Sequence, residues 1–304
     1  MCLIRRFFVF LCAVLLLSPF SAASSEAAAP SVVPSGSVLR VHQIDIGSGD
    51  AYMLTVDDIV ILIDCGINTQ TPLGNGAKHP DLNKYIASSG IDHIDAYFVT
   101  HWHNDHCYNV DYFLDLYGTE NTVTYGVSAE FFPGLAPIPA GTYEQLIDGG
   151  RVHIGPLDIL CIGPVDQENL TGNANQQSMN FIVSYGNHRF LFTGDWVDRT
   201  VADRWPDEIT DIDVLSFPHH GIEPMHITRK CYAMMNPRVV LIPGRGSYNV
   251  RKFVSSIGLL DNTILLSGND GHLLVSSDGD SLWTASHVQP GEFPFGDLVP
   301  QRAE

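Results

Sequence analysis

Short apolar runs broken by Gly, Pro, Asn and Asp recur along the chain, and their spacing alternates between strand and helix periods. Val38 to Ile46 and Ala51 to Val56 flank a Gly-Ser-Gly-Asp turn, and Asp57-Asp58 turns the chain into Ile59 to Asp64, so these three read as antiparallel strands. Asp81 to Ser88, after Pro80, reads as a helix ended by Gly90, and Asp95 to His101 returns as a strand. Val110 to Tyr117 has amphipathic helical spacing stopped by Gly118, and Val123 to Ser128 follows as a strand. Phe131 to Gly141 contains three prolines and reads as a loop over the site.

The second half repeats the rhythm. Arg151 to Gly163 predicts a hairpin turning near Gly155-Pro156, and Met179 to Thr193 another turning at Gly186-Asn187. A helix is expected over Asp198 to Trp205, a strand over Asp213 to Phe217, a helix over His226 to Met235 and a strand over Arg238 to Pro243. Arg251 to Ile257, Thr263 to Ser267 and a hairpin from Leu273 to Thr284 complete the layer, while Gly291 to Glu304 reads as a loose tail. Two similar halves predict an α/β (α+β) architecture: two mixed sheets face to face with helices outside.

Composition adds a compartment. The basic start Met1 to Arg6, the apolar stretch Phe7 to Leu17 and the small residues Ser18 to Ala29 read as a cleaved secretory signal over residues 1–29, because that stretch is too short to span a bilayer. Residues 30–37 then form a flexible leader, residues 38–290 the folded domain and residues 291–304 the tail, with no membrane span in the mature protein. Export leaves Cys65, Cys107, Cys161 and Cys231 where disulfides are permitted, in any of three pairings. No Cys-x-x-Cys pair exists, so a ribbon-type structural zinc is unsupported.

The candidate chemistry is concentrated in Thr100-His101-Trp102-His103-Asn104-Asp105-His106. Three imidazoles and a carboxylate this close can ligate one borderline cation or divide between two. A strand ending at His101 would aim His101 and His103 the same way, and a helix from Asn104 would carry Asp105 and His106 in its first turn.

The spacing His-x-His-x-Asp-His resembles the signature of the metallo-β-lactamase superfamily, which implies a four-layer αββα sandwich holding one or two metals. Ile61-Leu62-Ile63-Asp64-Cys65-Gly66 is similar to its early strand-end Asp, Phe192-Thr193-Gly194-Asp195 to its later Thr-Gly-Asp, and Pro218-His219-His220-Gly221 to its closing His motif. Asp45-Ile46-Gly47-Ser48-Gly49-Asp50-Ala51, together with Pro-His-His-Gly, Asn175 to Ser178 and Ser267 to Gly271, resembles the ComEC-like branch. The resemblance implies His101 and His103 on a first metal, Asp105 and His106 on a second, and Asp195 between them. One of His219 and His220 closes the second site, and the other reaches the substrate or holds a ligand. Asp64, Asp105 and His220 are its implied catalytic groups, with Asp64 orienting a His or the water. The implied cofactor is Zn2+, one or two ions, or Mn2+.

Two departures stand out. Superfamily members often place a third His for the first metal before the Thr-Gly-Asp; here His153 and His188 fit poorly, which leaves Asn173, Asn175, Ser178 or water. Cys107-Tyr108 stands where relatives commonly have small Gly residues, and the bulkier pair could narrow the second site or place a thiolate near it.

The net charge of −18, from 34 acidic and 16 basic side chains, decides between substrates. Duplex nucleic acid is held by fields of Lys and Arg, and here only scattered pairs such as Arg229-Lys230 and Arg251-Lys252 occur. The resemblance therefore implies a secreted hydrolase acting on a small or oligomeric phosphodiester or related phosphoester, with nucleic acid disfavoured. Hydrolysis of a β-lactam or of another ester or amide is the alternative for an enzyme of this fold, and a degenerate, noncatalytic wall- or ligand-binding module the alternative of another class.

Overall fold

The computed structural model describes residues 33–67, 80–128, 140–164, 173–223, 226–244 and 246–302. The signal over residues 1–29, the start of the leader and all but the end of the proline-rich loop of residues 131–141 lie outside these residues.

The chain opens with β1 (Leu39–Gln43), β2 (Ala51–Val56) and β3 (Ile59–Asp64), then α1 (Pro80–Ser88) and β4 (Ile94–Phe98). Next come α2 (Asn104–Cys107), α3 (Val110–Tyr117), β5 (Gly118–Gly126) and β6 (Thr142–Gln145). The second half runs through β7 (Arg151–Ile154), β8 (Leu157–Gly163), β9 (Asn180–Tyr185), β10 (His188–Phe192), α4 (Val201–Arg204) and α5 (Pro206–Ile209). It ends with β11 (Val214–Ser216), α6 (Arg229–Met235), β12 (Val239–Ile242), α7 (Ser247–Ser255), β13 (Ile264–Ser267), β14 (Leu273–Ser277), β15 (Leu282–Ala285) and β16 (Asp297–Leu298).

These strands form two sheets, ordered β16-β15-β14-β1-β2-β3-β4-β5-β6 and β13-β12-β11-β10-β9-β8-β7. In each, an antiparallel portion passes into a parallel portion, β3 to β6 and β10 to β13, and helical crossovers supply the return from β3 to β5 and from β10 to β13. Three apolar clusters account for the layering. Leu39, Tyr52, Phe98, Phe181, Phe190 and Val275 fill the space between the sheets. Tyr85, Tyr97 and Phe113 lie under α1 and α3, and Phe217, Tyr232 and Val254 under α6 and α7. The result is the expected αββα sandwich.

Several boundaries differ from the sequence reading, each for a reason outside local pattern. β4 stops at Phe98 rather than His101, because the backbone of Thr100 is engaged elsewhere: its N–H donates to Asp64 Oδ1 at 2.8 Å and its carbonyl accepts from Met179 N at 2.9 Å, tying the two sheets together. β6 adds an unforeseen, largely exposed edge strand. The C-terminal stretch is not loose throughout. β16 pairs with β15, Val299 is buried, and the buried Arg238 donates to the carbonyls of Val299 and Pro300 at 3.1 Å each while pairing with Asp213 at 3.0 Å. All four cysteines among the described residues are free thiols, so none of the disulfide pairings is made. Among the described residues no helix is long and apolar enough to cross a membrane.

Candidate metal centre

The predicted ligand and catalytic groups lie at or just beyond the carboxyl end of a strand in the parallel portion of its sheet: Asp64 at the end of β3, the His cluster after β4, Asp195 after β10 and the His pair after β11. Ladder bonds end there, so backbone and side chains are free to turn inward. The first loops are clamped main chain to main chain. Asp50 O accepts from Cys65 N and Gly66 N at 2.9 and 3.0 Å, Asp50 N donates to Asp105 O at 2.9 Å, and Ile67 N donates to Asn104 O at 3.0 Å. Gly66 packs so closely that a Cβ there would lie 1.9 Å from the Asp105 carbonyl. His103 stands at the N-cap of the short α2, whose first turn presents Asp105 and His106 inward.

Asp195, 1% exposed, sits between two lobes. Its Oδ1 faces His106 Nε2 at 3.0 Å and His220 Nε2 at 3.6 Å, and His220 Nε2 lies 3.3 Å from Asp105 Oδ2. Its Oδ2 faces His101 Nε2 at 3.6 Å and His219 Nε2 at 3.7 Å, with His103 Nδ1 3.2 Å from His101 Nε2. His106 Nε2, His220 Nε2 and Asp195 Oδ1 are buried and have no hydrogen-bond partner. Buried lone pairs left unpaired are costly, and a cation satisfies all three at once. The donor set, imidazole nitrogen and carboxylate oxygen, suits zinc or manganese. The lobe of Asp105, His106 and His220 is largely enclosed, whereas His103 is exposed, so the other lobe faces solvent.

An outer ring of acceptors fixes the tautomers. Asp64 is fully buried; Oδ1 accepts from Thr100 N, and Oδ2 accepts from Thr100 Oγ1 and faces His106 Nδ1 at 2.8 Å. Asp50 Oδ1 does the same for His220 Nδ1 at 2.9 Å. Each carboxylate holds the proton on Nδ1 and leaves the Nε2 lone pair pointing at the centre. His101 Nδ1 lies 3.3 Å from Thr100 Oγ1 and 3.4 Å from Ser178 Oγ, so Ser178 backs His101 from outside instead of filling the third-ligand position.

Electrostatics show what the cluster needs. Burial alone would lower the His106 imidazole, yet Asp195, Asp64 and Asp50 around it hold it well above its ordinary value. Burial works the same way on His220, and the carboxylates of Asp105 and Asp50 beside it outweigh it, raising it to about 10. Asp195 is lowered despite its burial, by His106, His220 and His101. Burial pushes Asp50 up to about 6 in spite of His106 and His220. The carboxylates thus exceed the fixed positive charge, and protons on imidazoles make up the difference until a dication replaces them.

Every predicted ligand position is therefore brought to one place. The His pair does not continue a strand: His219 and His220 both adopt left-handed backbone at φ 54°, which turns one ring to each lobe and separates what the sequence left open. His220 joins Asp105 and His106, and His219 occupies the lobe of His101 and His103, which lacked a third His. His153 is exposed beside Asp158, and His188 bonds Ser277 Oγ at 2.7 Å; neither is in the centre. The Cys107 thiol contacts Trp102 O at 3.2 Å and is pushed up to about 11 by burial, so no thiolate stands beside the second lobe. Sequence reasoning undervalued Asp50, taken for turn chemistry, and missed His226 as a site residue, having read it as a helix start. His226 stacks on His219 with centroids 4.4 Å apart and sets Nδ1 2.9 Å from Asp195 O. The Gly-rich Asp-Ile-Gly-Ser-Gly-Asp turn was the available signal for Asp50; no local signal marked His226.

Residues 44–223 match the metallo-beta-lactamase superfamily. The Integrator complex subunit 11 homolog of Dictyostelium discoideum is 21% identical over 201 residues, which cover 56% of this chain, and the chain spans about a quarter, 26%, of that relative's length. Among solved structures, Igni18, a metallo hydrolase from Ignicoccus hospitalis, superposes with a TM-score of 0.52 at 17% identity over 78% of this chain and 98% of its own. YhfI of Bacillus subtilis, a metallo-beta-lactamase fold protein, does so with a TM-score of 0.50 at 14% identity over 81% of this chain and 100% of its own. At such identities the structural likeness concerns the fold.

Proposed function

Because the chain belongs to the metallo-β-lactamase superfamily, we propose that its centre is that of a metal-dependent phosphoesterase, acting on a small phosphodiester or related phosphoester in the manner of the ComEC-like branch. The observation that carries the reading is the convergence of His106 Nε2, His220 Nε2 and Asp195 Oδ1, buried and unpartnered, beneath a solvent-facing lobe. His101, His103 and His219 would hold one cation and Asp105, His106 and His220 a second, with Asp195 between the two lobes. When bound, zinc or manganese would lower the pKa of water and neutralise charge developing on a phosphoryl group. Asp105, with 17% of its side chain exposed, can present one oxygen inward while the other accepts a hydrogen bond from entering water. Asp64 and Asp50 touch no substrate; they act by keeping protons on His106 Nδ1 and His220 Nδ1.

A net charge of −18 supports a small ester over a long polyanion. The signal-like residues 1–29 support action outside the cytoplasm. The test is turnover by zinc- or manganese-loaded protein of bis-p-nitrophenyl phosphate, p-nitrophenyl phosphorylcholine, single-stranded DNA and nitrocefin. A phosphoester should be the fastest substrate, and nitrocefin cleaved faster than every phosphoester would overturn the assignment.

A further inference from the structure

Beside the open lobe, His219, Glu223 and His226 form a second constellation whose ligand atoms all lie within 4.8 Å of one another. His219 and His226 stack face to face at 4.4 Å with 4° between their planes, which sends His219 Nδ1 and His226 Nε2 toward the same carboxylate. Glu223 Oε2 is 2.9 Å from His226 Nε2 and 3.8 Å from His219 Nδ1. His226 Nδ1 faces the main-chain carbonyl of Asp195 at 2.9 Å, and a carbonyl only accepts, so the ring proton belongs on Nδ1 and the Nε2 lone pair meets the Glu223 carboxylate. His219 Nδ1 is buried and has no hydrogen-bond partner. Two imidazole lone pairs and one carboxylate, with the Glu223 side chain 53% exposed, make three ligands with a fourth position left to water.

We propose that His219 Nδ1, Glu223 Oε2 and His226 Nε2 form an additional zinc site that shares His219 with the main centre and shuts that centre when filled. A neutral imidazole has one lone pair. A cation on His219 Nδ1 places the ring proton on Nε2, which then donates toward Asp195 Oδ2, 3.7 Å away, instead of offering a lone pair to the open lobe. In this step the His219 Nδ1–H bond breaks and an Nε2–H bond forms on the same ring, metal bonds form to His219 Nδ1, Glu223 Oε2 and His226 Nε2, and a cation in the open lobe would keep only His101, His103 and Asp195. The site is open and has three protein ligands, so it binds zinc more weakly than the enclosed lobe and acts as a brake at high zinc.

The zinc-binding step stands apart from the phosphoester reading, since it is read by metal content. Equilibrium dialysis of the whole protein against rising free zinc, with bound metal counted by mass spectrometry, should show one further equivalent above the plateau of the main centre. Glu223→Gln, at an exposed side chain, should remove that step alone and leave the earlier plateau intact. Excess zinc should slow the unaltered protein and spare Glu223→Gln. A titration ending at the main plateau, or a further step of undiminished affinity in Glu223→Gln, would overturn the proposal, whichever substrate the enzyme prefers.

Discussion

Replacing Asp64 by Asn keeps the side chain's shape and removes one acceptor, and the consequence can be followed atom by atom. The Asn amide offers one oxygen and one NH2 group. Thr100 N, 2.8 Å from Oδ1, requires the oxygen there, so the NH2 group is turned toward Thr100 Oγ1 and His106 Nδ1, each 2.8 Å from Oδ2. The hydroxyl can rotate to accept. The ring nitrogen can accept only by giving up its proton, which moves to Nε2, the atom that faces Asp195 Oδ1 at 3.0 Å. The lone pair offered to the enclosed lobe is lost unless the amide bond to His106 breaks. Loss of such an outer partner costs ~10–100-fold in metal affinity, about 1.4–2.8 kcal/mol. The expected result is a weaker second zinc equivalent in a competitive titration against a chromophoric chelator, with affinity at the lobe of His101, His103 and His219 unchanged. Circular dichroism on the same preparations checks that the fold persists, and activity should return at saturating zinc. Wild-type affinity at both lobes, or unfolded protein under saturating zinc, would refute the tautomer argument.

Three further outcomes follow from the same geometry. His220, raised to about 10, and His106, raised well above its ordinary value, hold protons in the metal-free protein near neutral pH, so zinc binding at about pH 8 should release at least one proton per chain, measured by calorimetry in buffers of different ionisation enthalpy; release of none would contradict it. Because a raised imidazole pKa stabilises the fold fully only below its unfolded value of 6.5, the metal-free protein should also melt progressively lower as pH rises from 6.5 through about 10, while the loaded protein should not. Gly66→Ala puts a methyl 1.9 Å from the Asp105 carbonyl, and that rigid backbone clash should cost about 1–3 kcal/mol and displace α2, seen as a lower thermal midpoint together with reduced zinc content; an unaltered zinc content would show that α2 can shift freely.

Periodicity carried the architecture because each sheet has an antiparallel half with hairpin turns and a parallel half with helical returns, and both leave local marks: Gly186-Asn187 between β9 and β10, and the continuous apolar run of β3. The His cluster was equally legible, since four ligand types within His101 to His106 need no long-range information to suggest a cation. The assignment of His219 and His220 to different lobes was not. It depends on left-handed backbone at both residues, imposed by the close packing of Gly221 and Gly246, where a Cβ on Gly246 would lie 2.2 Å from the Gly221 carbonyl carbon. Asp50 and His226 were out of reach for a similar reason. Their partners, His220 and Asp195, are 170 and 31 residues away in the chain; the facing of the two sheets brings Asp50 within 2.9 Å of His220, and the parallel pairing of β10 with β11 brings the loop of His226 within 2.9 Å of Asp195. The order of β16, the early end of β4 and the free thiols were decided by contacts of the same long range. Local sequence determines which segments are strands and helices and which chemistry they carry, because those preferences act within a few residues. Which lone pair points at which lobe is a property of groups far apart in the chain, and it exists only once the sandwich has closed.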